Sequence, residues 1–565
     1  MESKDAWLDV YGMNQDEYDR KFRCKSQSSI QRRVKDFIHR LLLPFLSLSN
    51  FWRLFTSFVP IFRWLPDYKW KEDLLYDTVG GLTTGISHIL QGLAFAVVIG
   101  VDPIYGLYAS LFPVIFYMLF GTSRHVSIGA FAVTAIMSGV AVDKIATQYS
   151  QLNATLFDNY TLPSASNIEI ATALTFTTGV IETIAGILQL EFITTYFSDQ
   201  LVSGFTTGSA VHVVVGQLDT FLGIRVPKFY GLGYVFKRLY HIIIRIPQTN
   251  LYTLGLSIFS TIFLYFGKKC VTPFMEKVLP FDTPIPHELL VATVVGEIPA
   301  ILLYFSLPEP QLPRFDLVGI CFPYAMGIAA VVIAVHISMA KMLAKQKHYS
   351  IDSEQELYAL GFSTVLGSFF PIYPVATSLG RTMVNVESGS RTQFASVPSC
   401  LLIVAVILWV GPLLNALPMC ILAVILLMSL RTMFYRFAEL PKIWPVSKID
   451  FLIWVVSFVA TVAADVMDGL VIAVIFAMLT LLFRSQWPRW RRLGQLSPHH
   501  PYFDNPKRYA AATSNPNFCI YRFECPLLFN NVGRFKTSIH DALLEWQKET
   551  SILANMIITV LVTNS

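Results

Sequence analysis

A spanning helix needs about 20 consecutive apolar residues, and this chain repeats that pattern from about residue 78 to residue 484. The runs fall near 78–97, 102–120, 170–193, 203–222, 250–268, 287–305, 315–341, 354–370, 391–412, 414–432, 450–466 and 467–484. Two further segments, 130–145 and 376–387, are shorter and more polar. Together they predict an all-α polytopic membrane protein with roughly fourteen segments. Composition agrees: 14% of the 565 residues are charged, against about a quarter in soluble proteins. A net charge of +5 is small for this length and predicts no nucleic-acid partner. The seven cysteines are scattered, without CxxC or Cys/His spacing, so neither a disulfide framework nor a metal site is expected. No Walker A, HExxH or GxSxG pattern is present, and no dinucleotide fingerprint follows a strand. The sequence therefore predicts no enzyme, no ATP-driven pump and no cofactor.

Residues 1–77 form a polar, basic, aromatic-rich region with no short apolar leader, so the N-terminus is expected in the cytoplasm. Alternating the spans from there places Arg124, Lys268 and Lys269, Lys341 to Lys347, Arg391 and Arg431 to Lys448 in inside connections, as the positive-inside rule asks. The C-terminus is then cytoplasmic too, and the plasma membrane is the expected location. One expected outside loop, 223–249, is also basic (Arg225, Lys228, Lys237, Arg238, Arg245) and opposes that orientation. The sequons at Asn153 and Asn159 support it, because both fall in one expected outside loop, 146–169, where glycosylation is open to them.

The two short segments occupy the third place in each half of the series. Interrupted segments at matching positions point to an inverted repeat with a site between broken helices. Half-helix N-termini direct partial positive charge and free N–H groups at such a site, which favours an anion. Arg381 lies in the second short segment. An intramembrane Arg is costly, and its fork can grip an oxyanion with two hydrogen bonds; the alternative is pairing with an acid or reaching the interface. The first short segment opens with small residues around Ala130, then Phe131, whose ring edge tolerates anions; plain helix packing reads the same residues equally well. His88, Gln91 and Phe95 lie in the first span, Gln91 and Phe95 on one face, and Gln91 is either an amide donor to a ligand or a link to a neighbouring helix. Glu182, His212, Glu297 and His336 also sit in spans. They are proton-relay candidates whose simpler reading is satisfied packing.

Residues 501–565 balance charged and apolar residues. A strand-like 518–523, a helical 532–548 and an apolar 556–562 predict a β-α-β start to an α/β domain. The pattern stops there, as expected of the front part of a longer chain.

The run Pro103-Ile-Tyr-Gly-Leu-Tyr108, the later Phe120-Gly-Thr-Ser-Arg-His125, and Gln91-Gly-Leu-Ala-Phe95 resemble the signature of SulP sulfate permeases, solute carrier family 26. Ser127-Ile-Gly-Ala-Phe131, Ile337-Ser-Met-Ala-Lys341 and Gly367-Ser-Phe-Phe370 extend the resemblance. It implies two inverted seven-segment repeats forming core and gate domains, a homodimer, and a cytoplasmic STAS domain of which 501–565 is the front part, with 485–500 as linker. It also implies cytoplasmic protein partners for STAS. The family's anion site, carried over by motif, falls on Gln91, Phe95, Ala130, Phe131, Ser378, Gly380 and Arg381. Several relatives carry Ser-Leu-Ser-Arg where this chain has Ser378-Leu-Gly380-Arg381, so a hydroxyl is missing at 380. The eighth segment has no carboxylate between Ala325 and Ser338, where proton-coupled relatives in plants carry one, which tilts the reading toward exchange. The implied activity is secondary transport of small anions such as sulfate, oxalate, bicarbonate, chloride or iodide, by elevator-type alternating access. Its rivals are an uncoupled anion channel, a voltage-driven motor or scaffold, and a nucleobase permease of related architecture.

Overall fold

The computed structural model describes residues 58–156, 165–190, 198–227, 232–266, 307–410, 418–464, 466–497, 500–504 and 519–550, with a few single positions between them. The span expected at 287–305, the strand expected at 556–562 and the sequon at Asn159 lie outside these residues, as does Glu297. Asn153 falls in a helix, but its side chain is likewise outside the description. The chain divides into two compact units, Met1–Tyr68 and Lys69–Ser565. In the first, a helical turn Ile61–Trp64 carries Phe62 against Phe55, which also stacks on Trp52.

The second unit begins with α1 (Trp70–Ile99) and α2 (Pro103–Phe120), then a two-residue strand β1 (Ile128–Gly129), α3 (Ala132–Leu156), α4 (Asn167–Ile187) and α5 (Asp199–Leu222). Next come α6 (Tyr234–Arg245), α7 (Leu251–Phe266), α8 (Val318–Gln346), α9 (Ser353–Gly367), β2 (Ala376–Thr377) and α10 (Leu379–Glu387). The last helices are α11 (Ser396–Ala405, continuing into a π-helical turn at Val406–Val410), α12 (Met419–Phe434), α13 (Leu440–Val446), α14 (Lys448–Ala463) and α15 (Val466–Gln486). The helices start and stop where local chemistry directs. Glu72 and Asp73 sit in the first turn of α1, which ends at Gly100 in the left-handed conformation; acids suit the positive end of the helix dipole and glycine the left-handed cap. Pro103 opens α2, and Ser166 with Glu169 forms a capping box on α4.

Two helix sets emerge from the packing. In one, α1 and α2 pack on each other and on α11, α9 packs on α2 and α4, and α8 packs on α3 and α4. In the other, α5 packs on α12, α14 and α15, and α7 on α12. Each set draws on both halves of the chain, and α1 meets α12 where the sets adjoin.

Three local expectations are corrected. The first short segment is not short: α3 has 25 residues, because Lys144, Gln148 and Gln151 favour helix without being apolar. The basic loop 223–249 contains α6, an amphipathic helix bent by 112° from α7. Its Arg238 is neutralised by Asp219 at 2.7 Å, while Phe236, Tyr240, Ile243 and Ile244 are exposed. Its polar face and exposed apolar face are those of a helix suited to the membrane surface. The stretch read as a linker holds β3 (Trp490–Ser497), the central strand of a sheet ordered β4-β3-β5. Leu493 alternates there with polar neighbours, a strand-like pattern too brief to stand out beside the spans.

Strands β4 (His500–Asp504) and β5 (Ile520–Phe523) both run antiparallel to β3. Helix α16 (Val532–Thr550) covers the sheet, with Phe535 edge-on to Tyr521 and Phe523. The Asn531 amide donates to the Ser485 carbonyl at 3.1 Å, tying this domain to the end of α15.

The approach of α1 to α2 is limited by two glycines. A β-carbon at Gly106 would lie 2.0 Å from the Gly92 carbonyl oxygen, whereas one at Gly255 meets nothing within 4 Å. Gly106→Val is therefore expected to exceed the about 1–3 kcal/mol typical of overpacked cores, with loss of monodisperse protein and a lowered melting temperature in detergent. Gly255→Ala should match the parent chain; equal behaviour of the two variants would refute this packing.

Candidate functional site

Strands β1 and β2 pair antiparallel, Ile128 opposite Thr377 and Gly129 opposite Ala376. Each strand leads directly into a helix, α3 or α10. Antiparallel strands run in opposite senses, so the two helices depart in opposite directions and their N-termini face one another. The N–H groups of each first turn lack intrahelical partners and carry the positive end of the helix dipole.

Arg381, in the first turn of α10, joins the two helix starts. It is fully buried. Its Nη1 donates to Gln91 Oε1 at 2.7 Å and to the Ala130 carbonyl at 2.9 Å. Nε donates to Ser127 Oγ at 3.0 Å, and Nη2 to the Ser127 carbonyl at 3.2 Å. Four of the five N–H donors of a guanidinium are thus used, and all four acceptors are uncharged. Ser127 Oγ shares a further hydrogen bond with His88 Nε2 at 2.9 Å. The backbone reaches the guanidinium because residue 129 is glycine: a β-carbon there would lie 2.7 Å from the His88 ring and 3.1 Å from Arg381 Nη2.

A cavity of about 1100 Å³ adjoins this arrangement, lined at its closed end by Gln91, Phe95, Phe131, Ser378 and Gly380. Five of the seven residues named from sequence therefore meet at one cavity. The other two, Ala130 and Arg381, stand behind its wall. Arg381 does not line the cavity, because four of its donors go to Gln91 on α1 and to residues 127 and 130 before α3. By occupying Gln91 Oε1 it leaves the two amide N–H donors of Gln91 for the cavity. The other end of the cavity is lined by Asp199, Lys345, Arg436, Lys442 and Asp450. Asp450 pairs with Arg484 near the end of α15 at 3.3 Å, so the cavity opens at the end of the bundle from which the C-terminal domain emerges.

A second buried network was not legible beforehand. Glu356 Oε1 accepts from Thr122 N and Oγ1 and from Ser123 N, at 2.7, 2.5 and 2.8 Å. Its Oε2 accepts from Tyr117 OH at 2.7 Å and lies 2.7 Å from His336 Nε2. His336 Nδ1 in turn lies 2.7 Å from Thr377 Oγ1, one residue before Ser378. In the sequence Glu356 reads as one of several acids capping α9, and nothing marks His336 as its partner. The simpler reading holds for His212, which meets Tyr234 OH and the Thr461 carbonyl. Glu182 is fully buried and lines neither this cavity nor a second one at the start of α1.

Comparison with known proteins follows the same lines. A model described as the sulfate permease family matches residues 74–457. The chain is 35% identical over 555 residues to sulfate permease family protein 3 of Caenorhabditis elegans, a match covering 87% of this chain and 70% of that protein. It is 36% identical over 497 residues to prestin of Danio rerio, covering 84% and 66% respectively. Among solved structures, murine solute carrier 26 family member A9, an anion transporter in the inward-facing state, superposes with a TM-score of 0.76 at 26% identity, over 93% of this chain and 84% of that one. The transmembrane domain of a cyanobacterial bicarbonate transporter shares the fold, with a TM-score of 0.55 at 21% identity.

Removing one member of a buried charged network leaves the others unpaired and costs about 3–5 kcal/mol. Glu356→Gln should therefore lower the melting temperature strongly. Tyr117→Phe, which removes one hydrogen bond to a charged group, should cost about 1.5–3 kcal/mol. Thermal unfolding of the purified variants checks the order; a Tyr117→Phe effect as large as that of Glu356→Gln would contradict the network.

Proposed function

The chain belongs to the sulfate permease family of multi-pass membrane anion transporters, and from that premise we propose that it exchanges small anions across the plasma membrane by elevator-type alternating access. The observation that carries this reading is a buried guanidinium, without an acidic partner among the described residues, behind a cavity on which two helix N-termini converge. A buried cation held only by neutral acceptors keeps a large desolvation cost, and an anion in the cavity offsets it. Gln91 supplies N–H donors, Ser378 a hydroxyl, Gly380 its backbone N–H, and Phe95 and Phe131 apolar walls. The substrate class is sulfate, oxalate, bicarbonate, chloride and iodide.

In this reading the set built on α1–α4 and α8–α11 is the core that carries the anion, and the set built on α5, α7, α12, α14 and α15 is the gate. The inverted repeats account for two half-helices at matching places. Residues 78–484 are the transport domain, the preceding residues a cytoplasmic region, and 501–565 belong to a STAS domain that receives cytoplasmic partners. The working unit is a homodimer, with N- and C-termini in the cytoplasm. Exchange is favoured over a channel because the cavity reaches one end of the bundle and is closed at the helix starts by Arg381 and its bonds.

Uptake of radiolabelled anions into proteoliposomes tests the proposal. Sulfate uptake should require an exchangeable anion inside; a large chloride current independent of internal anion would instead mean a channel. Coulomb energy scales with the charge of the ion, so the fold-loss for a divalent anion is about the square of that for a monovalent one. Arg381→Gln that lowers chloride uptake about threefold should lower sulfate uptake about tenfold; equal losses would overturn the role given to Arg381. A second variant probes the pocket lining. A β-carbon at Gly380 meets nothing within 4 Å, so Gly380→Ser should leave the melting temperature unchanged and alter the sulfate-to-chloride uptake ratio. An unchanged ratio would remove residue 380 from the site.

A further inference from the structure

A second cavity, of about 610 Å³, lies among four segments at the end of the bundle where α1 begins. Its walls come from the first turns of α1, the loop after α2, the loop after α8 and the loop after α10. Four cations line it: Lys69, Arg124, Lys347 and Arg391. Only two acids do so, and both are spent. Glu72 pairs with Lys69 at 3.2 Å, and Asp73 with Arg391 at 2.9 Å. Among the described residues, no acid pairs with Arg124 or Lys347. Arg124 instead stacks over the Tyr349 ring at 5.5 Å, whose hydroxyl lies 3.2 Å from Ser123 Oγ. Arg391 is likewise held flat, 4.1 Å over the ring of Tyr76.

Burial, together with the charges of Lys347 and Arg124, pushes His125 in the same cavity down to about 4, so it stays neutral at physiological pH and leaves the cavity its two uncompensated cations. The floor is organised as well. Gly389 takes the left-handed conformation, which turns the chain so that the Ser390 side chain packs against α1 beside Gly80. Ser390 Oγ meets Asn385 Oδ1 at 2.6 Å, and the Asn385 amide donates to the His125 carbonyl at 3.0 Å. Two cations without acidic partners among the described residues, one of them an arginine set over a tyrosine ring, suit a multiply charged oxyanion with several acceptor oxygens. Trp70 and Leu75 are exposed beside the opening, and Tyr76 partly so. Aromatics at a bundle end sit at headgroup depth, which places the opening level with lipid phosphates.

We propose that this cavity is a regulatory site for a phosphomonoester, of the kind carried by an inositol headgroup, separate from the transport cavity and held by Arg124 and Lys347. Occupancy would tie the start of α1 to the loops that follow α2, α8 and α10. Two of those loops lead to or from the half-helices, so the ligand would stiffen the element that bears the anion site.

The test uses the purified full chain. The chain is reconstituted into vesicles of phosphatidylcholine containing 5% phosphatidylinositol bisphosphate or into vesicles in which phosphatidylserine supplies equal charge, and the anionic lipid that stays bound on detergent extraction is quantified. Soluble inositol trisphosphate and inorganic phosphate are titrated by thermal shift. Binding to the bisphosphate vesicles alone assigns the lipid, and binding of inositol trisphosphate as well shows that the headgroup suffices; both support the site. Each cation contributes about fivefold in affinity, so Arg124→Gln with Lys347→Gln should lower it about thirtyfold. Arg124→Lys with Lys347→Arg should retain most of the binding. Lys237→Gln on the distant α6 is the control and should bind like the parent. Melting temperature without ligand establishes that each variant is folded. Equal binding by the double Gln variant and the parent, or equal retention by phosphatidylserine vesicles, overturns the proposal.

Discussion

The architecture of the proposed transport cavity rests on one charge that no acid among the described residues neutralises. Burying a guanidinium costs several kcal/mol even after relaxation, and the usual remedy is a carboxylate. Here the remedy is two backbone carbonyls, a serine hydroxyl and a glutamine oxygen. That choice keeps Arg381 in place without cancelling its field. It also dictates the surroundings. The loop at 127–130 must bring its carbonyls within hydrogen-bond reach, which the β1–β2 ladder achieves and which a side chain at Gly129 would prevent. The starts of α3 and α10 are therefore one mechanical object, clamped by a single side chain.

The contrast with Glu356 is instructive. It too is fully buried, yet it receives hydrogen bonds from two backbone amides and two hydroxyls and meets His336. A carboxylate satisfied so completely holds the loop after α2 to the start of α9 and projects little field. The chain thus carries a hidden negative charge whose work is structural and a hidden positive charge whose work is electrostatic. Thr377 connects them: it receives His336 on its side chain and continues into the start of α10.

Much of this was legible in the sequence, for definable reasons. Apolar runs of spanning length report helices directly, because lipid allows no unpaired backbone. The second broken segment showed as a polar interruption carrying an arginine. The first was harder: only its extended entry at Ile128–Gly129 is irregular, and α3 then continues through polar residues to Leu156. Arg381 was identifiable as residue and as charge, but not as a bracket, since its acceptors lie about 250–290 positions away in sequence. Glu356 escaped because a first-turn acid is ordinary at a helix start. The strand at 490–497 escaped because a few alternating residues after a long span carry a weak signal.

The distribution of bonds around the cavity bears on how the proposed movement would proceed. Gln91, Ser127, Ala130, Ser378 and Arg381 all belong to the helix set containing α1, α3 and α10, and every hydrogen bond that Arg381 makes stays within that set. The facing wall, from α5 and α12, offers Ser203, Thr206, Leu430 and Met433. Ser203 is already engaged by the indole N–H of Trp454 in its own set, and the Thr206 hydroxyl donates to the Ser203 carbonyl. Sliding one set along the other would therefore break none of the bonds that define the anion site. The wall opposite the site presents carbon and satisfied hydroxyls, surfaces that resist displacement weakly because they exchange dispersion contacts of small individual energy. In the proposed movement the charge would travel with its own cage, and its desolvation cost would not be met again during the stroke.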